Sequence, residues 1–275
     1  MKTFFRRPGN KSRYLKFILP HIPKDYSTYI EPFLGSGALF LHLEPSKWII
    51  NDVNEDIMNI WNHTKLSCKR LLNYFTAFHR IVLKLGEDTQ VLSYCKSKTL
   101  NIPNMPYDAK RAATFIEMTY MTFAGHLICN NKFFFSTLHK NNGLDKLYIT
   151  SDRYKTNMMN ISNYLNSTKG IILQTSYEKV LKMAKRNDFV FLDPPYIEDF
   201  NYQINYNIGE DLSSKFLCKL LDEVKKLDRK GVKWLMTQAD TPIVRSMFKT
   251  YHISQFTVYR GFSHVYKNEL IIKNY

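Results

Sequence analysis

The sequence predicts an α/β fold: a mainly parallel sheet with a mainly helical block set into it. Three observations carry this. Phe189-Val-Phe-Leu192 is a short run of apolar, strand-favouring residues closed by Asp193-Pro194-Pro195-Tyr196, where neither a ladder nor a helix can continue. Tyr29 to Phe40 reads as strand, glycine turn and helix start, followed by Trp48-Ile-Ile-Asn-Asp52 as a second buried strand ending in an acid. From Val53 to about Tyr164 the pattern changes to apolar residues at three- and four-residue spacing, over a stretch too long for a plain crossover. The expected organisation is a sheet domain from residues 1–55 and 165–275, with residues 56–164 inserted.

With 44% hydrophobic and 15% aromatic residues, a chain of 275 residues buries a full core, which excludes disorder. The formal charge of +15 implies a polyanionic partner, because a field of that sign draws in phosphate backbones. Cys68, Cys95, Cys129 and Cys218 are scattered without a Cys-x-x-Cys pair, as expected of reduced thiols, and no metal site is expected. His126, Cys129 and His139 form the one cluster to test against that expectation. Met1-Lys-Thr-Phe-Phe-Arg-Arg7 lacks the apolar core of a signal peptide, and no run of about 18 apolar residues occurs. An intracellular, cytoplasmic protein is expected.

Taken in order, Arg7-Pro-Gly-Asn-Lys-Ser-Arg13 is a basic turn in which small polar neighbours let the Lys11 ammonium point at a ligand. A short apolar helix follows, Tyr14 to Leu19, ended by Pro20 and Pro23. After the first strand, Gly35 and Gly37 permit the positive φ and close backbone approach that a ligand near a helix start requires. Asp52 stands where nucleotide-type ligands have their ribose hydroxyls held. Helical spacing then covers Asp56–Leu66, Arg70–Leu85 and Ala109–Phe123, the last with Asp108 as N-cap, and Asn101–Pro106 is a loop.

From His126 to Arg186 there are ten Lys or Arg against three Asp or Glu, interleaved with Phe133-Phe-Phe135, Tyr148, Tyr154 and Tyr164. Cations among aromatic and Asn side chains suit phosphate and base contacts, and Asn130, Asn131, Lys132, Phe133 and Lys140 are the candidate nucleic-acid contacts. Asn130-Asn131-Lys132 reads as a hairpin tip, a shape that enters a groove. The sheet pattern resumes with a strand at Gly170–Gln174, a helix at Tyr177–Lys185 and the strand ending at Asp193. A polar loop, Ile197 to Gly209, is long enough to close over a site. A helix Leu212–Leu227, a strand Trp234–Thr237, a helix Pro242–Phe248 and strands Ser254–Tyr259 and Glu269–Lys273 complete the domain.

The Asp193 carboxylate and Pro194 carbonyl, fixed by the prolines, offer two acceptors, and Tyr196 a flat face. That is a receptor for a planar ring with an exocyclic amine, as in adenine.

The series Gly9-Asn10-Lys11, Glu31-Pro-Phe-Leu-Gly-Ser-Gly37, Asn51-Asp52, Asp193-Pro-Pro-Tyr196 and Asn268-Glu-Leu-Ile-Ile-Lys-Asn-Tyr275 resembles the Dam-type adenine-N6 DNA methyltransferases (D12 class, alpha group) over essentially the whole chain. The resemblance implies a Rossmann-like sheet that binds S-adenosylmethionine, with a target-recognition insertion and double-stranded DNA as partner. It implies that Arg7, Lys11, Phe33, Gly35, Gly37, Asp52 and Asp193 bind the cofactor. It also implies catalysis by Asp193, Pro194, Pro195 and Tyr196, the last stacking on an extruded adenine, and a cognate restriction endonuclease is a candidate partner. Two departures stand out. Ser176-Tyr177 replaces the family's acid-aromatic pair, and Ala124-Gly-His-Leu-Ile128 lacks the arginine of GATC readers, which leaves GATC a candidate target only. Against these expectations stand a catalytically inactive nucleic-acid-binding subunit, and a methyltransferase acting on RNA adenine or cytosine N4. Oligomeric state has no signature in the pattern.

Overall fold

The computed structural model describes residues 1–122, 125, 127–129, 132–135, 137–138, 148–196, 214–260 and 265–275. Its elements begin with α1 (Leu15–Ile18), β1 (Tyr29–Glu31), α2 (Ala38–Leu43) and β2 (Lys47–Asn51). There follow α3 (Glu55–Leu85), α4 (Asp88–Asn101), α5 (Ala109–Met121), β3 (Ile128–Cys129), β4 (Lys132–Phe133) and α6 (Asp152–Ser167). The chain then forms β5 (Lys169–Leu173), α7 (Tyr177–Met183), β6 (Phe189–Leu192), α8 (Ser214–Lys230), β7 (Lys233–Ala239), α9 (Pro242–Met247), β8 (His252–Arg260) and β9 (Val265–Lys273). Contacts divide it into two compact units. One comprises Met1–Asn10, Gly35–Glu44 and Asn54–Thr168; the other comprises Lys11–Leu34, Pro45–Val53 and Lys169–Tyr275.

The second unit is built on a sheet ordered β5-β2-β1-β6-β7-β9-β8. β5 to β7 are parallel neighbours, and β9 enters antiparallel between β7 and β8. Strand order therefore reverses between β1 and β6, the place where open α/β sheets bind ligands at the carboxyl ends of their strands. This is a Rossmann-like arrangement closed by a hairpin. One face is sealed by Val180 and Leu181 of α7 and by Leu217, Leu220, Val224 and Leu227 of α8, packed on Val190, Leu192, Trp234, Met236 and Leu270. Each such side chain contributes about 1.5–3 kcal/mol when fully buried. Gly170 stands second in β5 because its register partner is Trp48; a Cβ there would lie 1.9 Å from the Trp48 ring. Only glycine lets these strands pair.

The first unit is helical. α3 joins the two helices expected at Asp56–Leu66 and Arg70–Leu85 across a kink at Ser67, the one residue in it with non-helical angles (φ −148°, ψ 39°). Asn54 caps its start by accepting from the Ile57 N–H at 3.0 Å. Asp108 caps α5 as expected, accepting from the Arg111 N–H at 2.8 Å. The Arg111 guanidinium in turn grips Asp56 at 2.6 and 3.2 Å and donates to the carbonyls of Ile102 and Met105. Residues Ile102–Asn104, expected to be loop, form a short 3-10 turn held by these bonds. Trp61 is packed edge-on by Phe4 and Phe40 in the core of the unit.

Candidate active site

The site is built from the second unit, at the carboxyl ends of β6, β7 and β1. β6 is buried along its whole length, and the two prolines after it stop the ladder and turn the chain across the edge. There the Asp193 Oδ1 accepts from the Thr237 hydroxyl of β7 at 2.7 Å and lies 3.1 Å from the Lys11 Nζ. Oδ2 has no donor among the described residues, and neither has the Pro194 carbonyl. The Pro195 carbonyl is held by the Gln238 side-chain amide at 3.3 Å, which fixes the turn from β7.

Tyr196 is buried. Its hydroxyl donates to the Glu269 Oε2 of β9 at 2.7 Å, and one ring face lies under the Lys11 ammonium, 4.3 Å from the ring centroid. Lys11, 7% exposed, is thus enclosed by Asp193, Tyr196 and Glu269, the last at 4.0 Å. Burial alone would lower its pKa, but the anions Asp193 and Glu269 outweigh that and hold it well above the ordinary lysine value, so the ammonium stays charged. Burial, reinforced by Glu269 and Asp193 against the opposing Lys11, raises the Tyr196 phenol well above its ordinary value and keeps it neutral.

The crevice beyond β1, β2 and β5 is tied together by Asn51. Its side-chain amide donates to the carbonyls of Pro32 (2.9 Å) and Thr175 (3.0 Å), and its oxygen accepts from the Thr175 N–H at 2.9 Å. Phe33 packs on Tyr177 with ring centroids 5.2 Å apart, and the half-buried Asp52 follows directly on β2. An aromatic wall beside a carboxylate fits a nucleoside with a vicinal diol. Ser176, at the N-cap of α7, makes no capping hydrogen bond with its side chain.

Of the expected cofactor residues, Lys11, Phe33, Asp52 and Asp193 lie in this unit and Arg7, Gly35 and Gly37 in the other. Gly35 (φ +50°) and Gly37 (φ +64°) adopt the left-handed backbone anticipated for the turn, and a Cβ on Gly35 would meet only the Arg7 Cδ, at 4.0 Å. Glu269, Thr237 and Gln238 are not among the site residues expected from the sequence. The signal for Glu269 was an acid opening the apolar run Leu270-Ile-Ile272.

Among the expected nucleic-acid contacts, Asn130, Asn131 and Lys140 lie outside the described residues, as do His126, His139 and the loop 197–209. β3 and β4 pair antiparallel on either side of residues 130–131, and Phe133 sits edge-on against Phe115 of α5. Gly125 (φ +74°) meets Arg6, where a Cβ would stand 2.8 Å from the Arg6 Cβ.

The carboxyl edge of the sheet thus presents a pinned carboxylate, a proline carbonyl and a buried aromatic, at the strand ends where α/β enzymes hold their ligands. The family model for D12 class N6 adenine-specific DNA methyltransferases matches residues 8–261, and the chain belongs to that family. Its activity is site-specific transfer of a methyl group from S-adenosylmethionine to the N6 amine of adenine in DNA. The type II methyltransferase M1.LlaDCHI of Lactococcus lactis subsp. cremoris is 27% identical over 289 residues, covering 100% of this chain and 96% of that protein. The type II methyltransferase M.MjaIII of Methanocaldococcus jannaschii is 27% identical over 262 residues (87% and 84%). The DNA adenine methylase of Haemophilus influenzae is 22% identical over 269 residues (95% and 88%).

Proposed function

We propose that Asp193, Pro194, Pro195 and Tyr196 form the catalytic corner of this methyltransferase, and that Arg7, Lys11, Phe33, Gly35, Gly37, Asp52 and Asp193 bind S-adenosylmethionine. The observation that carries the reading is the asymmetry of Asp193: Oδ1 is pinned by Thr237 and Lys11, while Oδ2 and the Pro194 carbonyl have no donor among the described residues. These two acceptors take the two protons of the adenine amine. An amine so held is pyramidal, with its lone pair drawn out of the ring and aimed at a methyl group. When bound, the cofactor supplies that methyl on a positively charged sulfur. Asp52 accepts from its ribose hydroxyls, and Tyr196, its hydroxyl fixed by Glu269, offers a ring edge and face of defined orientation to the extruded base.

Residues Asn130, Asn131, Lys132, Phe133 and Lys140 are assigned to the target duplex, with GATC-like sites as the first candidates. The reading further places the protein in the cytoplasm, alongside a cognate restriction endonuclease. Among the described residues no helix is long and apolar enough to cross a membrane. The test is transfer of labelled methyl to unmethylated, mixed-sequence duplex DNA, followed by nucleoside analysis and site mapping. N6-methyladenine in one short sequence is expected. Asp193→Ala should abolish transfer while duplex binding persists; transfer that survives in this variant would remove Asp193 from the chemistry.

A further inference from the structure

A two-stranded ribbon runs on beyond the catalytic edge. β7 stops at Ala239, opposite Glu269, but β8 and β9 stay paired for four further steps: Thr257↔Asn268, Val258↔Lys267, Tyr259↔Tyr266 and Arg260↔Val265. At about 3.4 Å per residue the ribbon overhangs β7 by roughly 13 Å. It leaves the sheet on the side where β6 delivers Asp193, and Glu269, the last residue of β9 to pair with β7 on that side, is the partner of Tyr196.

The two faces of the ribbon differ. Directly opposed residues of an antiparallel pair share a face. Phe256 and Val258 are buried on one, where Phe17 stacks on Phe256 at 5.2 Å and Tyr14 lies beside it. On the other, Tyr259 and Tyr266 stand 45% and 75% exposed with ring centroids 5.1 Å apart. Thr257 donates to Asn268 at 3.0 Å on this same face, which braces it. The segment that covers the Phe256 face carries charge of one sign. Residues 11–24 carry four Lys or Arg and no acid, Arg13 and Lys16 are exposed, and the one acid of residues 252–275 is the buried Glu269.

We propose that this ribbon is a DNA-contact surface, in which Tyr259 and Tyr266 pack on the bases and sugars flanking the extruded adenine while Arg13 and Lys16 meet the phosphates. The proposal rests on the placement of the site at Asp193–Tyr196. Extruding a base unstacks its neighbours, and exposed aromatic rings replace part of that contact in any sequence. Cations on the segment that backs the ribbon neutralise the strand where it passes the ribbon's edge. The surface therefore supplies affinity and positioning, and the bases are read elsewhere.

The test uses the full chain. Binding of a short labelled duplex that carries the mapped target site is followed by fluorescence anisotropy across a salt series, and S-adenosylmethionine binding by calorimetry. Tyr259→Ala/Tyr266→Ala is expected to weaken duplex binding about tenfold without changing the salt slope or cofactor binding. Arg13→Gln and Lys16→Gln are each expected to lower the slope of log K against log salt by about one. Wild-type duplex affinity in the tyrosine variant overturns the proposal. So does loss of cofactor binding and turnover with duplex affinity intact, which assigns the tyrosines to the fold of the site. A wild-type protein that binds duplex through these tyrosines yet transfers no methyl overturns the site assignment and leaves the ribbon standing.

Discussion

Glu269 touches both partners of Asp193's neighbourhood: it accepts from the Tyr196 hydroxyl and lies 4.0 Å from the Lys11 ammonium. Glu269→Gln preserves its shape and removes its charge. Methyl transfer is then expected to slow about ten- to hundredfold, the worth of a charge-assisted hydrogen bond of about 1.5–3 kcal/mol. Single-turnover rates measure this; a wild-type rate would reduce Glu269 to packing. Lys11 makes a second prediction. Its folded pKa exceeds the unfolded one, so its ion pairs stabilise fully below about 10.5 and are lost as pH rises through the folded value. The kcat profile should therefore show no inflection from Lys11 between about pH 6 and 9. Lys11 and Asp193 were legible because turn residues set them off. Thr237, Gln238 and Glu269 were hidden, because each becomes a neighbour of Asp193 only through the register of β6, β7 and β9.

Between α4 and α5 a fully buried carboxylate is held by one lysine: Glu117 accepts from the Lys98 Nζ at 2.8 Å. Burial dominates, with Lys98 opposing, and the carboxyl is pushed from 4.5 up to about 7. Because the folded pKa lies above the unfolded one, the native state binds more protons between those values, and stability falls as pH rises through that window. Relative to Glu117→Gln, the wild type should lose roughly 3 kcal/mol between pH 4.5 and 7, and urea unfolding of both proteins at several pH values measures the difference. A pH-independent difference would rule the linkage out. Most elements were readable from period and caps. The helix break expected after Leu66 falls at Ser67, where two helices meet across a kink; the buried stripe Thr64, Cys68, Leu71, Phe75 continues through it, and the Ser67 hydroxyl turns back to His63. The overhanging ribbon was missed in part because its Tyr, Lys and Asn residues break the apolar pattern of β9, although pairing with β8 keeps them in a strand.

The charge of the whole molecule belongs to its substrate. With +15 overall, contacts to several phosphates are expected, and duplex affinity should fall about a thousandfold or more between 50 and 200 mM salt. Anisotropy titrations check this, and a flat salt response would mean that the surplus charge does not meet DNA. The composition made this partner legible. The strand order was less so, because β2 and β5 are neighbours only after the helical stretch between them is passed over.

That discontinuity has a temporal side. Asn51 and Thr175, whose bonds close the crevice, stand 124 positions apart, and the register of β2 with β5 spans nearly the same interval. At 5–20 residues per second, a ribosome takes roughly 6 to 24 s to deliver the second partner after the first. Through that time Trp48, Ile49 and Ile50 can pair with β1 on one side but lack β5 on the other, while the helical stretch emerges. A nascent chain arrested before Lys169 is thus left with an open, apolar strand edge, and the pace of translation sets how long each molecule spends in that state.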